Sequence, residues 1–240
     1  MNITLPQPST AAVEGQYVFT GSRYYLQASP AGAYHAVAGP SPSPERHLLV
    51  ALLSQQTTTR PTLSVLQAWT RTASDQAALA VVYNAQERGW IEGLAGPRTV
   101  ELGPLEPVAT RAIAALSASG EALIADAEGF LVASHGFDDP AAERLAALSA
   151  DIASLHDRHA AYLADTSGTS SGAWAIVDIA GNSRMGFWPM YIGANRFVLA
   201  VKGMPALHQP AFADLIWALS VRYRANGLPL PDLSKRKDMP

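Results

Sequence analysis

Residues 173–204 read AWAIVDIAGNSRMGFWPMYIGANRFVLAVKGM, and this stretch decides the fold. Three apolar runs, at about 174–179, 184–192 and 196–202, are separated by a Gly181-Asn182 turn and a Gly193-Ala194-Asn195 turn. Gly and Asn accept the left-handed backbone that tight hairpins need, so the runs are expected to be three consecutive antiparallel strands. Trp174, Phe187, Trp188, Tyr191 and Phe197 crowd this half of the sheet. Alternation along a strand places Phe187 and Trp188 on opposite faces. Unless helices cover both faces, one of the two is expected to be exposed as a contact anchor, because large aromatics concentrate at interface hot spots.

Upstream, a polar loop at 165–172 (DTSGTSSG) is preceded by a long helix at about 140–163. Asp138 or Asp139 can cap that helix, and Pro140 suits its first position. Leu145, Leu148, Ile152, Leu155, His159 and Tyr162 recur at spacings of three and four and mark one of its faces. A second strip is small: Ala141, Ala142, Ala146, Ala153 and Ala160. It is expected to let a twin helix approach closely, or else to be a solvated run of good helix formers. Before this helix, two short apolar runs, 122–125 and 130–134, flank Asp126-Ala127-Glu128-Gly129 and read as a hairpin. A helix at about 106–119 precedes the hairpin, and another, starting near His208, carries Phe212, Leu215, Ile216, Leu219 and Tyr223. Asn226-Gly227 is expected to stop it.

The order α-β-β-α-β-β-β-α resembles the roadblock/dynein light chain family across about residues 108–224. The likeness rests on the ADAEGFLVAS hairpin at 125–134, on AWAIVDIAGNSRMGFWPM at 173–190, and on GANRFVLAVKGM at 193–204. It implies a five-stranded antiparallel sheet with flanking helices. It also implies a homodimer that joins sheet edges and packs long helices together, and, in bacterial relatives, binding to Ras-like small GTPases. It brings no catalytic motif that maps onto this chain. The edge strands of an open sheet give an independent reason to expect pairing, because their N–H and C=O groups need covering. Phe187, Trp188, Tyr191, Leu148, Ile152 and Leu155 are the interface candidates.

The amino-terminal half is expected to fold as a separate winged-helix-like unit at 15–102. A disordered arm at 1–14 precedes it and a linker at 103–107 (GPLEP) follows it. The sheet domain then occupies 108–227 and a Pro-rich basic tail 228–240, with Lys235, Arg236 and Lys237. Residues 17–28 and 33–37 suggest a short β-hairpin around Pro30 and Gly32. Three helices follow, from about Pro44 with Ser43 as cap, over 62–72, and over 75–88 with Ser74 as cap. Gly89 ends the third, and Trp90-Ile91-Glu92 with a return at 98–102 forms a small wing. The segment ASDQAALAVVYNAQERGWIE at 73–92 resembles the third helix and first wing strand of winged-helix proteins.

Charge argues against nucleic acid. In residues 1–102, Arg23, Arg46, Arg60, Arg71, Arg88 and Arg98 are balanced by Glu14, Glu45, Asp75, Glu87, Glu92 and Glu101. A DNA reader needs a surplus of cations to meet phosphates. The whole chain carries a net charge of −3 and 15% charged residues, low against a typical figure of about 25%. Its 240 residues are 48% hydrophobic, enough for two cores, and contain no cysteine. Disulfides and thiol chemistry are thereby excluded. No signal peptide and no membrane span is read, so a cytoplasmic protein is expected.

No catalytic, cofactor-binding or metal-ligating set is expected. His156 and His159 lie three apart on the long helix, but a metal needs three or four ligands and no third is evident. Ser167 to Gly172 lacks the Lys and Gly spacing of a phosphate loop. Arg184 and Arg196 are the only direct helpers one could name for a partner's GTP hydrolysis. The expected function is that of a non-enzymatic homodimeric adaptor or regulator, which binds a small GTPase or another regulatory protein. The alternative is a transcription regulator with a DNA-binding winged helix and a dimerising carboxy-terminal domain.

Overall fold

The computed structural model describes residue 17 and residues 23–167 and 172–223. The expected arm at 1–14, the Asn226-Gly227 helix stop and the basic tail lie outside the described residues.

The first strand, β1 (Tyr25–Ala28), leads into α1 (Pro30–Val37). The expected hairpin return at 33–37 is therefore a helix. Ser29 and Pro30 explain the correction. The Ser29 hydroxyl accepts the Gly32 N–H at 3.1 Å, and Pro30 sits in the first turn, where its missing N–H costs nothing. Three capped helices follow: α2 (Pro44–Leu53) behind Ser43, α3 (Leu63–Thr70) behind Thr62, and α4 (Asp75–Glu87) behind Ser74. Gly89 takes the left-handed backbone at φ 65° and turns the chain into β2 (Ile91–Leu94).

The wing differs from the simple expected hairpin. β2 pairs antiparallel with β1, Ala28 opposite Ile91 and Tyr25 opposite Leu94. On its other side β1 meets residue 59, through the Leu26 N–H to the Thr59 carbonyl at 3.0 Å. The return segment pairs with residues 56–58 instead of β2: the Thr58 N–H reaches the Arg98 carbonyl at 2.8 Å and the Val100 N–H reaches Gln56 at 2.9 Å. β1 thus lies between the two limbs that the sequence suggests are neighbours.

The carboxy-terminal part is built from α5 (Leu105–Ala114), β3 (Ala122–Asp126), β4 (Leu131–His135), α6 (Asp139–Ser167), β5 (Trp174–Val177), β6 (Ser183–Ile192), β7 (Asn195–Lys202) and α7 (Pro210–Tyr223). Its five strands form one antiparallel sheet in the order β4-β3-β7-β6-β5. The long β6–β7 hairpin is central, and β4 and β5 are the edges. Alternation sorts the side chains. Leu123, Ala125, Val198, Ala200 and Phe187 face α6. Ala122, Ile124, Leu199, Val201, Met190 and Phe197 face the core shared with α5 and α7.

The two halves share that second core. α1 and α2 pack on α7, and the apolar cluster runs without a break from Ala28 through Leu48 and Trp69 to Ile216 and Leu219. This is why α7 is buried nearly all round. Polar ties cross the same boundary. The Trp217 indole N–H donates to the Gln55 carbonyl at 2.6 Å, Arg98 pairs with Asp214 at 2.9 Å, and Arg222 donates to the Gly103 carbonyl. α5 begins at Leu105, inside the stretch expected as a linker.

Candidate interaction surface

The long helix α6 is turned opposite to the simplest reading of its pattern. The small residues face the sheet: Ala142, Ala146, Ala150, Ala153 and Ser149 are buried. The large ones face outward. Leu148 is 40% exposed, Leu155 38% and Tyr162 68%, seven residues apart along the helix, with Leu145 and Ile152 half-buried beside them. The alanine strip expected to receive a twin therefore receives the chain's own sheet. The physical reason lies in the sheet, whose α6-facing side is bulky, with Phe187, Trp174 and Met185. A close-packed layer between a bulky sheet and a helix leaves room only for small helix residues.

Two polar ties fix this pose. Arg196 donates to the Asp157 carboxylate, to the Ser154 hydroxyl at 3.1 Å and to the Ala127 carbonyl at 3.4 Å. The Tyr191 hydroxyl donates to the same Asp157 carboxylate at 2.7 Å. Burial, then the Asp157 carboxylate, push the Tyr191 phenol up to about 12. Beside Asp157, the Trp174 indole N–H donates to His156 Nδ1 at 3.2 Å. His156 is thus an acceptor for a tryptophan, while His159 is exposed. Among the described residues no group of three or more His, Cys, Asp or Glu could hold a metal ion. Beyond Asp157 the helix packs little: except for Ala160 and Leu163, residues 158–166 are exposed.

The six interface candidates separate. Leu148 and Leu155 lie on the outward side of α6, and Ile152 between them is half-buried against the core beneath the helix. Phe187 is fully buried beneath α6, which corrects its place among the contact anchors. Trp188 is half-buried against the other core, so both faces of the sheet are covered at this point. Tyr191 is half-buried and engaged with Asp157.

The β5 edge adjoins this face and has no neighbour beyond it. Ile176, Val177 and Ile179 are exposed there. Asp178 holds the following turn rigid, accepting the N–H groups of Ala180 and Asn182, both at 2.9 Å. Arg184 is exposed and paired with Asp178 at 2.9 Å, whereas the Arg196 side chain is 16% exposed and committed to Asp157. Phe130 and Leu131 are exposed at the β3–β4 turn. Sequence reasoning missed these turn-tip apolar residues, although the D-x-x-G spacing at Asp126 and Asp178 marks both turns.

A five-stranded antiparallel sheet with one long helix on one face and two helices on the other defines a class of small helix–sheet platforms. Residues 105–170, from α5 through α6, match the family model of the Roadblock/LC7 domain. The match leaves the amino-terminal half outside it. Among solved structures, the Roadblock/LC7 domain from Streptomyces avermitilis is similar at 16% identity and a TM-score of 0.31, over 44% of this chain and 83% of that one. Myxococcus xanthus MglB is similar at 16% identity and a TM-score of 0.36, over 52% of this chain and 98% of that one. The gliding protein mglB from Thermus thermophilus is similar at 20% identity and a TM-score of 0.36, over 52% and 96%. No curated protein matches the sequence. No described helix is long and apolar enough to cross a membrane.

Proposed function

We propose that the chain is a homodimeric roadblock-type adaptor that binds a Ras-like small GTPase or another regulatory protein. The observation that carries the dimer is the outward stripe of α6. Leu145, Leu148, Ile152, Leu155, His159 and Tyr162 follow the alternating three-and-four spacing of a coiled-coil seam, and in a single copy Leu148, Leu155 and Tyr162 are exposed along it. A helical end that is largely exposed is marginal in water, so a second copy would stabilise residues 158–166. The open β5 edge beside the stripe supports the same pairing.

The GTPase half of this reading rests on the Roadblock/LC7 domain. The adaptor acts by contact and not by chemistry of its own. Arg184 and Arg196 are engaged with Asp178 and Asp157, so a GTPase bound here would use its own groups. The transcription reading has no comparable support. α4 carries no Lys or Arg between Asp75 and Glu87, and the Arg88 guanidinium lies over the Trp90 ring at 4.8 Å.

Calorimetric titration of the full chain with the Ras-like GTPases of its host, each in the GDP form and with a GTP analogue, tests the partner. Saturable binding that favours one nucleotide state supports the reading. Absence of heat with every GTPase, in a preparation that is dimeric, removes the GTPase from it and leaves the dimer standing.

A further inference from the structure

The outward side of α6 carries two rows of residues, each repeating every seventh position. One is Leu148, Leu155 and Tyr162, all exposed. The other is Arg144, Asp151, Arg158 and Asp165, also exposed, and its charge changes sign at every step. Among the described residues none of these four enters an ion pair within the chain itself. A third row, Leu145, Ile152 and His159, completes the apolar seam, with the charged row along one flank of it. The opposite flank, Ala142, Ser149 and His156, is turned to the chain's own sheet: Ala142 and Ser149 are buried, and His156 receives the Trp174 N–H.

These rows restrict how two copies can pair. In a parallel pair the charged flank of one helix meets the opposite flank of the other. Here that opposite flank carries no carboxylate and faces inward. In an antiparallel pair like flanks meet, so the charged row faces itself. One antiparallel register sets Arg144 against the partner's Asp165 and Asp151 against the partner's Arg158, and two-fold symmetry repeats both pairs. The same register lays Leu145 on the partner's Tyr162, Ile152 on the partner's Leu155, and Leu148 on the partner's His159. Every member of the seam then has a counterpart. A slip of one heptad in one direction sets Asp151 against the partner's Asp151 and Arg144 against the partner's Arg158. A slip in the other direction sets Arg158 against the partner's Arg158 and Asp151 against the partner's Asp165. Like charges across a helix pair cost about as much as opposite charges gain, so both slips are disfavoured.

We propose that the alternating row Arg144, Asp151, Arg158 and Asp165 sets α6 antiparallel to its own copy in this one register, and selects a second copy of the chain over other helices. This selection rests on the self-pairing already proposed and adds to it a direction, a register and a basis for choosing the partner. A helix with a single sign of charge along its flank is a poor occupant, because two members of the row repel it.

The test is sedimentation of the full chain at low salt, where exposed ion pairs are least screened. Asp151→Arg turns both central pairs into arginine–arginine contacts, and Arg158→Asp turns them into carboxylate–carboxylate contacts. Each variant alone should self-associate at least about tenfold more weakly than wild type. An equimolar mixture of the two restores both pairs in a heterodimer, and the double variant restores them in a homodimer. Both should return to within about threefold of wild type. Spin labels on Glu143→Cys, in a chain with no cysteine of its own, should lie about 30 Å apart across the dimer, from a helical rise of about 1.5 Å per residue. A dimeric wild type whose single variants pair as tightly as it does, or whose mixture is no tighter than either variant alone, overturns the proposal and leaves the dimer standing. So do labels closer than about 20 Å, the spacing of a parallel pair. A wild type that stays monomeric removes the dimer and the proposal together. Asp151, Arg158 and Glu143 are exposed, so far-UV circular dichroism of each variant should match wild type and exclude misfolding.

Discussion

Asp126 and Asp178 close the sheet's two outer hairpins in the same way. Oδ1 of Asp126 accepts the N–H groups of Glu128 and Phe130, at 3.1 and 2.8 Å. Oδ1 of Asp178 accepts those of Ala180 and Asn182, both at 2.9 Å. Gly129 and Gly181 follow at φ 88° and 83°, where a side chain would be strained. Each hairpin also slips register just before its aspartate, between Ile124 and Ala125 and between Ile176 and Val177. The sheet thus holds its two edges with one repeated device.

Removing either carboxylate should loosen its hairpin. Asp126→Ala should cost about 1 kcal/mol, the usual net worth of such bonds. Asp178→Ala should destabilise in the same direction at neutral pH. The backbone N–H of Asn182, with Ala180 and Arg184 behind it, holds the Asp178 carboxyl below its usual 3.8. A depressed carboxyl stabilises above its unfolded value and loses that contribution as pH falls through the folded one. The melting difference between wild type and Asp178→Ala should therefore be full at neutral pH and close only below about pH 3.8.

Gly32→Ala should be among the most damaging small substitutions in the amino-terminal half. A Cβ there would lie 2.0 Å from the Trp90 carbonyl oxygen, and that atom is backbone. Ser29 ties the same turn, donating its hydroxyl to the Gly89 carbonyl at 2.6 Å. Neither side can yield cheaply, so a loss of about 3 kcal/mol is expected in urea unfolding. An unchanged midpoint would show that α1 does not press on this turn.

Acid should weaken the same corner. The His35 ring stacks on Trp90 at 3.9 Å and 15°. Burial, then Arg46, lower its pKa from 6.5; Glu45 opposes them and Arg88 adds to them. A histidine depressed in the folded state binds more protons once unfolded. Its contribution is complete above pH 6.5 and is lost as pH falls through 6.5 toward the folded value. His47, lowered by burial and by Arg71, acts in the same direction. Melting temperature should drop as pH falls below 6.5, and His35→Phe, which keeps the stack and removes the proton site, should flatten part of that drop.

Asp157→Asn should bring the Tyr191 phenol down from about 12 toward 10, because the carboxylate is the second cause of its elevation after burial. In a spectrophotometric phenolate titration, one late-ionising tyrosine should join the rest. The same variant leaves Arg196 without its carboxylate, and a loss of about 1–2 kcal/mol in stability should accompany it.

Much of this architecture can be read from residue order. The turns at Gly181-Asn182 and Gly193 announce their strands, and Ser43, Thr62 and Ser74 sit where helix caps should. α1 escapes such a reading because Pro30 and Gly32 look like a turn. Yet Ser-Pro is also a cap followed by a first helical residue, and which reading wins depends on Trp90, far away in sequence. The orientation of α6 is undecidable from its own pattern. Periodicity shows that Leu148 and Leu155 share a face and that Ala146 and Ala153 share another, but not which face meets the sheet. That choice is made by the bulk of Phe187 and Trp174 across the layer. The pairing of the Gln76 side chain with the Tyr17 N–H and carbonyl leaves no local signal in the sequence.

Sedimentation velocity of the full chain, with Leu155→Glu beside it, bears most directly on the outward stripe of α6. The wild type should sediment as a species of twice the 25.4 kDa chain mass at micromolar concentration, and Leu155→Glu should shift it to a folded monomer. A wild type that stays at 25.4 kDa throughout the concentration series, or a Leu155→Glu variant that remains fully dimeric, would contradict the account.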